Sequence, residues 1–269
     1  VTGADAATGE PAIVVLPDRE AASDAAARRI ATALTEAVAA RGVAHWATTG
    51  GSTPGPIYRE LARKPLLDTI PWKHVHLWWG DDRWAPPDGP LSNTLAARDL
   101  LLGEAPIPAG QVHAMPIAEA TAGGHSPAWA AARYAEELRA ANLPIDAAGF
   151  PSLDVVLIGI GPDGHLLSVF PGSATWDDPA WAQAVPAPTH IEPHVARVTL
   201  HPRILDAARL PIAVVHGASK AGVLGRIFGE RRDPRELPGQ LARRAGAVWI
   251  LDEAAAVILP PHLGRASTA

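Results

Sequence analysis

The chain contains no cysteine, which removes disulfides, thiolate metal sites and thiol nucleophiles from consideration. No apolar run approaches the roughly 18–20 residues that span a bilayer, and no signal-peptide pattern opens the sequence. No membrane partner is therefore expected, and a cytoplasmic protein is the default reading. Charge of one sign never accumulates: 23 Lys and Arg stand against 28 Asp and Glu, and the net charge of −5 offers no basic face to nucleic acid. Phenylalanine and tyrosine are scarce, 3 and 2 residues, whereas there are 9 tryptophans, which are expected mostly in the core and in site walls. Trp78 and Trp79, adjacent in one strand, must face opposite ways. What the chain does have is 48% hydrophobic content over 269 residues, enough for one large α/β domain or two small ones.

Short runs rich in Val, Ile and Leu alternate with helical patterns. Strands are expected over residues 12–16, 43–49, 74–79, 154–160, 196–200, 212–216 and 247–251, with a short one near Val112. Helices are expected over 18–41, 56–63, 92–102 with Ser92 as N-cap, 127–141, 201–208 and 219–228 with Ser219 at its cap. The alternation predicts a doubly wound α/β fold, with a mainly parallel sheet and helices on both faces. No linker divides the chain. It reads as a loose N-terminal end over 1–11, a single α/β domain over 12–259 and a C-terminal tail over 260–269. Residues 172–193, rich in Pro and Trp, read as a long irregular loop, and loops of that length are usually functional or mobile. Oligomeric state is not encoded legibly; a monomer or a small homo-oligomer fits.

In an open α/β sheet, ligands sit beyond the carboxyl ends of the strands, and four such ends carry chemistry. The most pointed is Gly161-Pro162-Asp163-Gly164-His165, which places a carboxylate and an imidazole two residues apart in a sharp turn. A lone histidine is more often a packing residue, but this position favours chemistry. Residues 49–55 run from a strand through Gly50, Gly51, Ser52 and Thr53 into a helix with Pro54 in its first turn. That pattern suits an anion site of backbone N–H groups and a positive helix end, and read alone it suits an ordinary strand–helix junction equally well. Gly80-Asp81-Asp82-Arg83 can orient hydroxyls, bind an anion or form a structural ion-pair cluster, with Ser92 and Asn93 downstream as support. In His216-Gly217-Ala218-Ser219-Lys220, a cation opening a helix is unfavourable for the dipole, which points Lys220 toward an anionic ligand or toward solvent.

Residues 159–164 spell G-x-G-x-x-G, but Asp163 would put a negative charge where a pyrophosphate lies. The downstream acids Asp177 and Asp178 fall in a loop, so no nicotinamide or flavin cofactor is expected. No metal is expected either: the pairs His74/His76 and His190/His194 have no convincing third ligand.

Taken together, TTGGSTP, WWGDDRW with SN downstream, GIGPDGHLLSVFPGS, RVTL and HGASKAGVL resemble, in order and spacing, the 6-phosphogluconolactonases of the wider glucosamine-6-phosphate isomerase/lactonase superfamily. The resemblance runs from about Ala12 to Leu251. It implies hydrolysis of 6-phospho-D-glucono-1,5-lactone to 6-phosphogluconate in the oxidative pentose phosphate pathway, with no metal or organic cofactor. On that basis His165 is expected as general base, with Asp163 orienting the ring and stabilising the imidazolium. Gly50, Gly51, Ser52, Thr53, Asp81, Arg83, Arg197 and Lys220 are expected to hold phosphate and sugar, and Ser168 is expected to be structural. Two departures touch the pocket. Asp81-Asp82-Arg83 stands where the family usually has Asp-Glu-Arg, and Leu166-Leu167 where it usually has a small pair.

Two rivals share the scaffold or the ligand. Glucosamine-6-phosphate isomerases/deaminases carry a Glu five residues after the His, where this chain has Phe170, and an Asp-Glu-Tyr type segment where it has Asp82-Arg83. A phosphosugar-sensing regulator usually adds a helix-turn-helix segment, and none is expected before Ala12 or after Leu251.

Overall fold

The computed structural model describes residues 9–229, 231–259 and 263. Most of the N-terminal end and all but one residue of the C-terminal tail thus lie outside the described residues.

Among the described residues there are ten strands: β1 (Ala12–Leu16), β2 (Ala44–Thr48), β3 (Val75–Trp79), β4 (Asp81–Arg83), β5 (Val112–His113), β6 (Val155–Ile158), β7 (Ala182–Val185), β8 (Arg197–Leu200), β9 (Leu210–Val215) and β10 (Val248–Asp252). Seven form one sheet in the order β1-β10-β9-β6-β2-β3-β5, and every pairing in it is parallel. From β2 the chain winds outward through β3 to β5; from β6 it winds the other way through β9 and β10. The winding therefore reverses between β2 and β6, and the crevice beyond that switch point is where an α/β sheet binds its ligand.

The helix Arg19–Arg41 shows why the sequence packs as it does. Asp18 caps it by accepting from the Ala21 N–H at 2.8 Å, and Gly42 ends it at φ 79°, a left-handed conformation that costs glycine little. Its buried face is mostly alanine, with Ile30 and Leu34, so it can press closely against β10, β2 and β9. One core joins residues from Ile13 to Ala256. Trp46, Trp78, Trp79 and Trp249 are among its largest fully buried side chains. Trp78 stacks on His113 at 3.7 Å, whereas the Trp79 indole N–H donates to Asn93 O at 3.1 Å; the two neighbours serve opposite faces.

Three expectations need correction. Residues 172–193 are not irregular throughout, because β7 lies inside them. It joins β4 and β8 in a second, antiparallel sheet of order β4-β8-β7, and its sequence AQAV is too short and too small-residued to announce a strand. Ser92 stands one residue before the N-cap of the next helix. Asn93 holds that position and the helix is broken into Thr94–Ala97 and a wider turn over Arg98–Leu102. The Ser92 hydroxyl still accepts from the Thr94 N–H at the helix start at 3.2 Å, and it donates to Asp82 Oδ2 at 3.2 Å. Ser219 makes no cap: it sits inside a tight 3₁₀ turn, Ala218–Lys220, and the α-helix begins at Ala221 with Lys220 at its N-cap.

Candidate active site

The ends of β2, β6 and β9 meet β4, β8 and one stretch of the loop after β7 around a cavity of about 250 Å³. Gly50, Gly51, Ser52, Thr53, Asp81, Arg83, His165, Arg197 and Lys220 all line it. Asp163 does not line it; it stands behind the imidazole.

The turn after β6 is built around that imidazole. His165 Nδ1 and Asp163 Oδ1 lie 2.5 Å apart, and the His165 backbone N–H donates to the same oxygen at 3.2 Å. With Nδ1–H held by a carboxylate, Nε2 carries the lone pair. The ring lies so close to Gly161 that a Cβ there would stand 2.1 Å from two ring atoms. Gly164, at φ +92°, is required on two counts, since its Cβ would also meet Leu237 at 2.3 Å. Phe170 forms the ring's wall at 4.7 Å between centroids. Burial alone would push the Asp163 carboxyl up. The hydrogen bond and charge of His165, with a second hydrogen bond from His190, outweigh burial and hold it well below the usual carboxylate range.

The cavity wall also carries three cations, Arg83, Arg197 and Lys220. Arg83 and Arg197 are register partners on β4 and β8, a placement that sets two like charges side by side and is unfavourable unless something anionic lies between them. The Arg83 Nη1–H group donates to Leu91 O at 2.9 Å and the Arg197 Nη2–H group to Pro193 O at 3.0 Å. Both Nε–H groups are buried without an acceptor. Arg197 is 3% exposed; burial, then the charge of Arg83, pulls its pKa down. Lys220 bridges to the β6 end through a 2.6 Å hydrogen bond from Nζ to Ile160 O, and burial lowers its pKa against the raising effect of Asp163.

Strand alternation sorts the acidic pair. Asp81 faces the cavity, its Oδ2 accepting from the Ser168 hydroxyl at 2.6 Å. Asp82 points away, accepting from the Asn93 and Arg83 backbone N–H groups at 2.7 and 2.8 Å. Burial holds the Asp82 carboxyl up, to about 6. Asn93, foreseen only as loop support, is a wall residue. It packs so tightly on Gly50 that a Cβ there would fall 1.7 Å from its Oδ1, and that Oδ1 is buried without a donor.

The expected helix-end anion site needs refining. The helix Pro54–Leu61 does start at the cavity wall, but Thr53 makes no side-chain cap. Pro54 and Pro56 have no N–H, so Gly55 supplies the one donor among residues 54–56. Gly50, Gly51, Ser52 and Thr53 line the cavity and Gly55 does not, so a backbone cradle at this turn would come from residues 50–53.

Other wall residues escaped the sequence reading. His216 lines the cavity with Nε2 buried and unpartnered, and Ile191 and Glu192 overhang it from the loop after β7. His216 opens the segment singled out for Lys220 but was given no role of its own, and no motif marks Ile191 and Glu192. His190 was weighed only as a metal ligand, yet it bonds Asp163 at 2.9 Å.

Residues 17–250 match the model of the family of glucosamine-6-phosphate isomerases and 6-phosphogluconolactonases. The chain belongs to that family. Among its curated members, the 6-phosphogluconolactonase of Streptomyces coelicolor is 35% identical over 257 residues, covering 94% of this chain and 96% of that one. That of Mycobacterium tuberculosis is 36% identical over 249 residues, with 92% and 98% covered. The solved structure of the Trypanosoma brucei 6-phosphogluconolactonase superposes with a TM-score of 0.81 at 28% identity, over 94% of this chain and 100% of its own. A monomeric glucosamine-6-phosphate deaminase superposes with a TM-score of 0.74 at 17% identity, which shows the shared doubly wound fold and nothing finer.

Proposed function

We propose that this chain hydrolyses 6-phospho-D-glucono-1,5-lactone to 6-phospho-D-gluconate, as a cytoplasmic step of the oxidative pentose phosphate pathway. The observation that carries the reading is the 2.5 Å His165–Asp163 pair at the edge of a cavity lined by two arginines whose buried Nε–H donors are unanswered. Kinship with 6-phosphogluconolactonases along almost the whole chain supports it.

A δ-lactone is an activated ester, so the reaction needs a deprotonated water, a fixed carbonyl and charge placed where the oxyanion develops. His165 Nε2 takes a proton from water as the water oxygen bonds to C1. Asp163 holds the ring's orientation and steadies the imidazolium. The C1–O5 bond then breaks and O5 receives the proton from the imidazolium, which restores His165. Arg83, Arg197 and Lys220, with the backbone of residues 50–53, hold the phosphate. Remote binding energy thereby fixes C1 over the ring. The Asn93 Oδ1 acceptor and the Asp81 carboxylate suit sugar hydroxyls.

Deaminase chemistry on the same scaffold is disfavoured by Phe170. Where that pattern carries a glutamate, this chain has a buried ring packed on His165 and lying 5.6 Å from the Arg197 guanidinium. The test is to generate the lactone in situ with glucose-6-phosphate dehydrogenase and follow acid release with and without the protein, with glucosamine 6-phosphate in parallel. Accelerated acid release and no ammonia are expected; ammonia release without lactone hydrolysis would reverse the assignment.

A further inference from the structure

Resting on the reading of His165 as the base, we propose that His190 is a positioning residue for hydrolysis, acting on His165 through the second oxygen of Asp163. Asp163 lies between two imidazoles. Its Oδ1 faces His165 Nδ1 at 2.5 Å and its Oδ2 faces His190 Nε2 at 2.9 Å. A carboxylate bonded through one oxygen alone can swing about its Cβ–Cγ bond. Bonded through both, it presents Oδ1 to the base in one orientation. His190 thus does for Asp163 what Asp163 does for His165, the arrangement in which outer hydrogen bonds fix an inner catalytic group.

The placement of His190 is built into the loop that carries it. The His194 Nδ1–H group donates to Pro188 O at 2.7 Å, closing the segment on itself around His190. The Arg197 Nη2–H group donates to Pro193 O at 3.0 Å, tying its far end to β8. The His190 ring stands edge-on to Phe170 at 5.7 Å and 87°, so the residue that walls His165 also walls His190. The next two residues, Ile191 and Glu192, line the cavity. The segment within residues 172–193 that the sequence leaves without a role therefore brings a hydrogen-bond donor to the back of the catalytic pair.

A loop anchor and a positioning residue predict different kinetics. Removing an anchor loosens the wall at Ile191 and Glu192 and raises KM. Removing a positioning residue leaves KM and lowers kcat. His190→Ala is expected to lower kcat roughly 3- to 30-fold, the range for losing a hydrogen bond to a half-exposed charged group, with KM changed less than about twofold. His190→Gln, whose Nε2 keeps a donor at similar reach, is expected to recover most of that loss. In an Asp163→Ala background, His190→Ala should cost less than about twofold more, because the group it acts through is gone. Thermal melts of each variant check that the half-exposed site leaves the fold intact. Wild-type kcat in His190→Ala, a change in KM alone, no recovery by His190→Gln, or full multiplication of the two losses would each overturn the proposal. None of these touches the lactonase reading, which fails only if the unaltered chain does not accelerate acid release.

Discussion

At the residue scale, the site sets one carboxylate beside an imidazole and three cations around the cavity. Asp163 bonds the His165 ring, and Arg83, Arg197 and Lys220 line the cavity. The two arginines are held by single carbonyl contacts through their Nη groups, which leaves Nε–H free to donate. This predicts that Arg197→Lys will not preserve function, since lysine has a methylene where arginine has Nε. Affinity for 6-phosphogluconate, measured by calorimetry, should fall about 10- to 100-fold in Arg197→Lys and in Lys220→Ala, the scale of one lost charge-assisted hydrogen bond, while affinity for unphosphorylated gluconate changes little. Equal losses for both ligands would take these cations off the phosphate. The place of Lys220 in the cavity wall was legible from a cation set where a helix dipole disfavours it. The buried orphan atoms of Asn93 and His216 were not legible, because burial is a property of the assembled walls.

At the element scale, the turn between β6 and His165 works because glycine lets the ring lie against the backbone. Gly161→Ala would put a methyl 2.1 Å from the imidazole, so the ring must move off Asp163. We expect kcat to fall on the order of 10²-fold, as for a misplacement of about 1 Å, with the melting temperature much less affected. Undiminished turnover in this variant would mean that the ring's placement is not critical. Parallel strands such as β1, β6, β9 and β10 were readable because they are short Val/Ile/Leu-rich runs closed by glycine or a polar turn. The antiparallel sheet was not, for reasons visible in its parts: Asp81–Arg83 is charged at every position, and Ala182–Val185 has no large apolar residue but its terminal valine. Extended structure there is imposed by pairing with β8, which is tertiary context overriding local preference.

At the scale of the whole molecule, burial of several imidazoles sets an acid limit. Burial, then the neighbouring His76 and His113, lowers His45 to about 4; burial, then the charge of Arg203, lowers His201 to about 4. Between pH 6.5 and 4 the unfolded chain binds protons that these rings refuse, so stability falls as pH drops. Asp82, held up to about 6, works in the opposite direction over pH 6 to 4, since the folded state binds its proton first. Two histidines outweigh one carboxyl. A melting temperature about 5–10 °C lower at pH 5 than at pH 7 is expected in calorimetric melts; a flat or rising profile would show that these rings are not buried in solution.

The most direct measurement compares the unaltered chain with His165→Ala for both lactone turnover and 6-phosphogluconate affinity. A general base poised over an anchored ester predicts a kcat lower by on the order of 10²–10⁴, with affinity for the phosphosugar within about threefold of the unaltered chain. Near-normal turnover in that variant, or a collapse of phosphosugar binding together with activity, would contradict it.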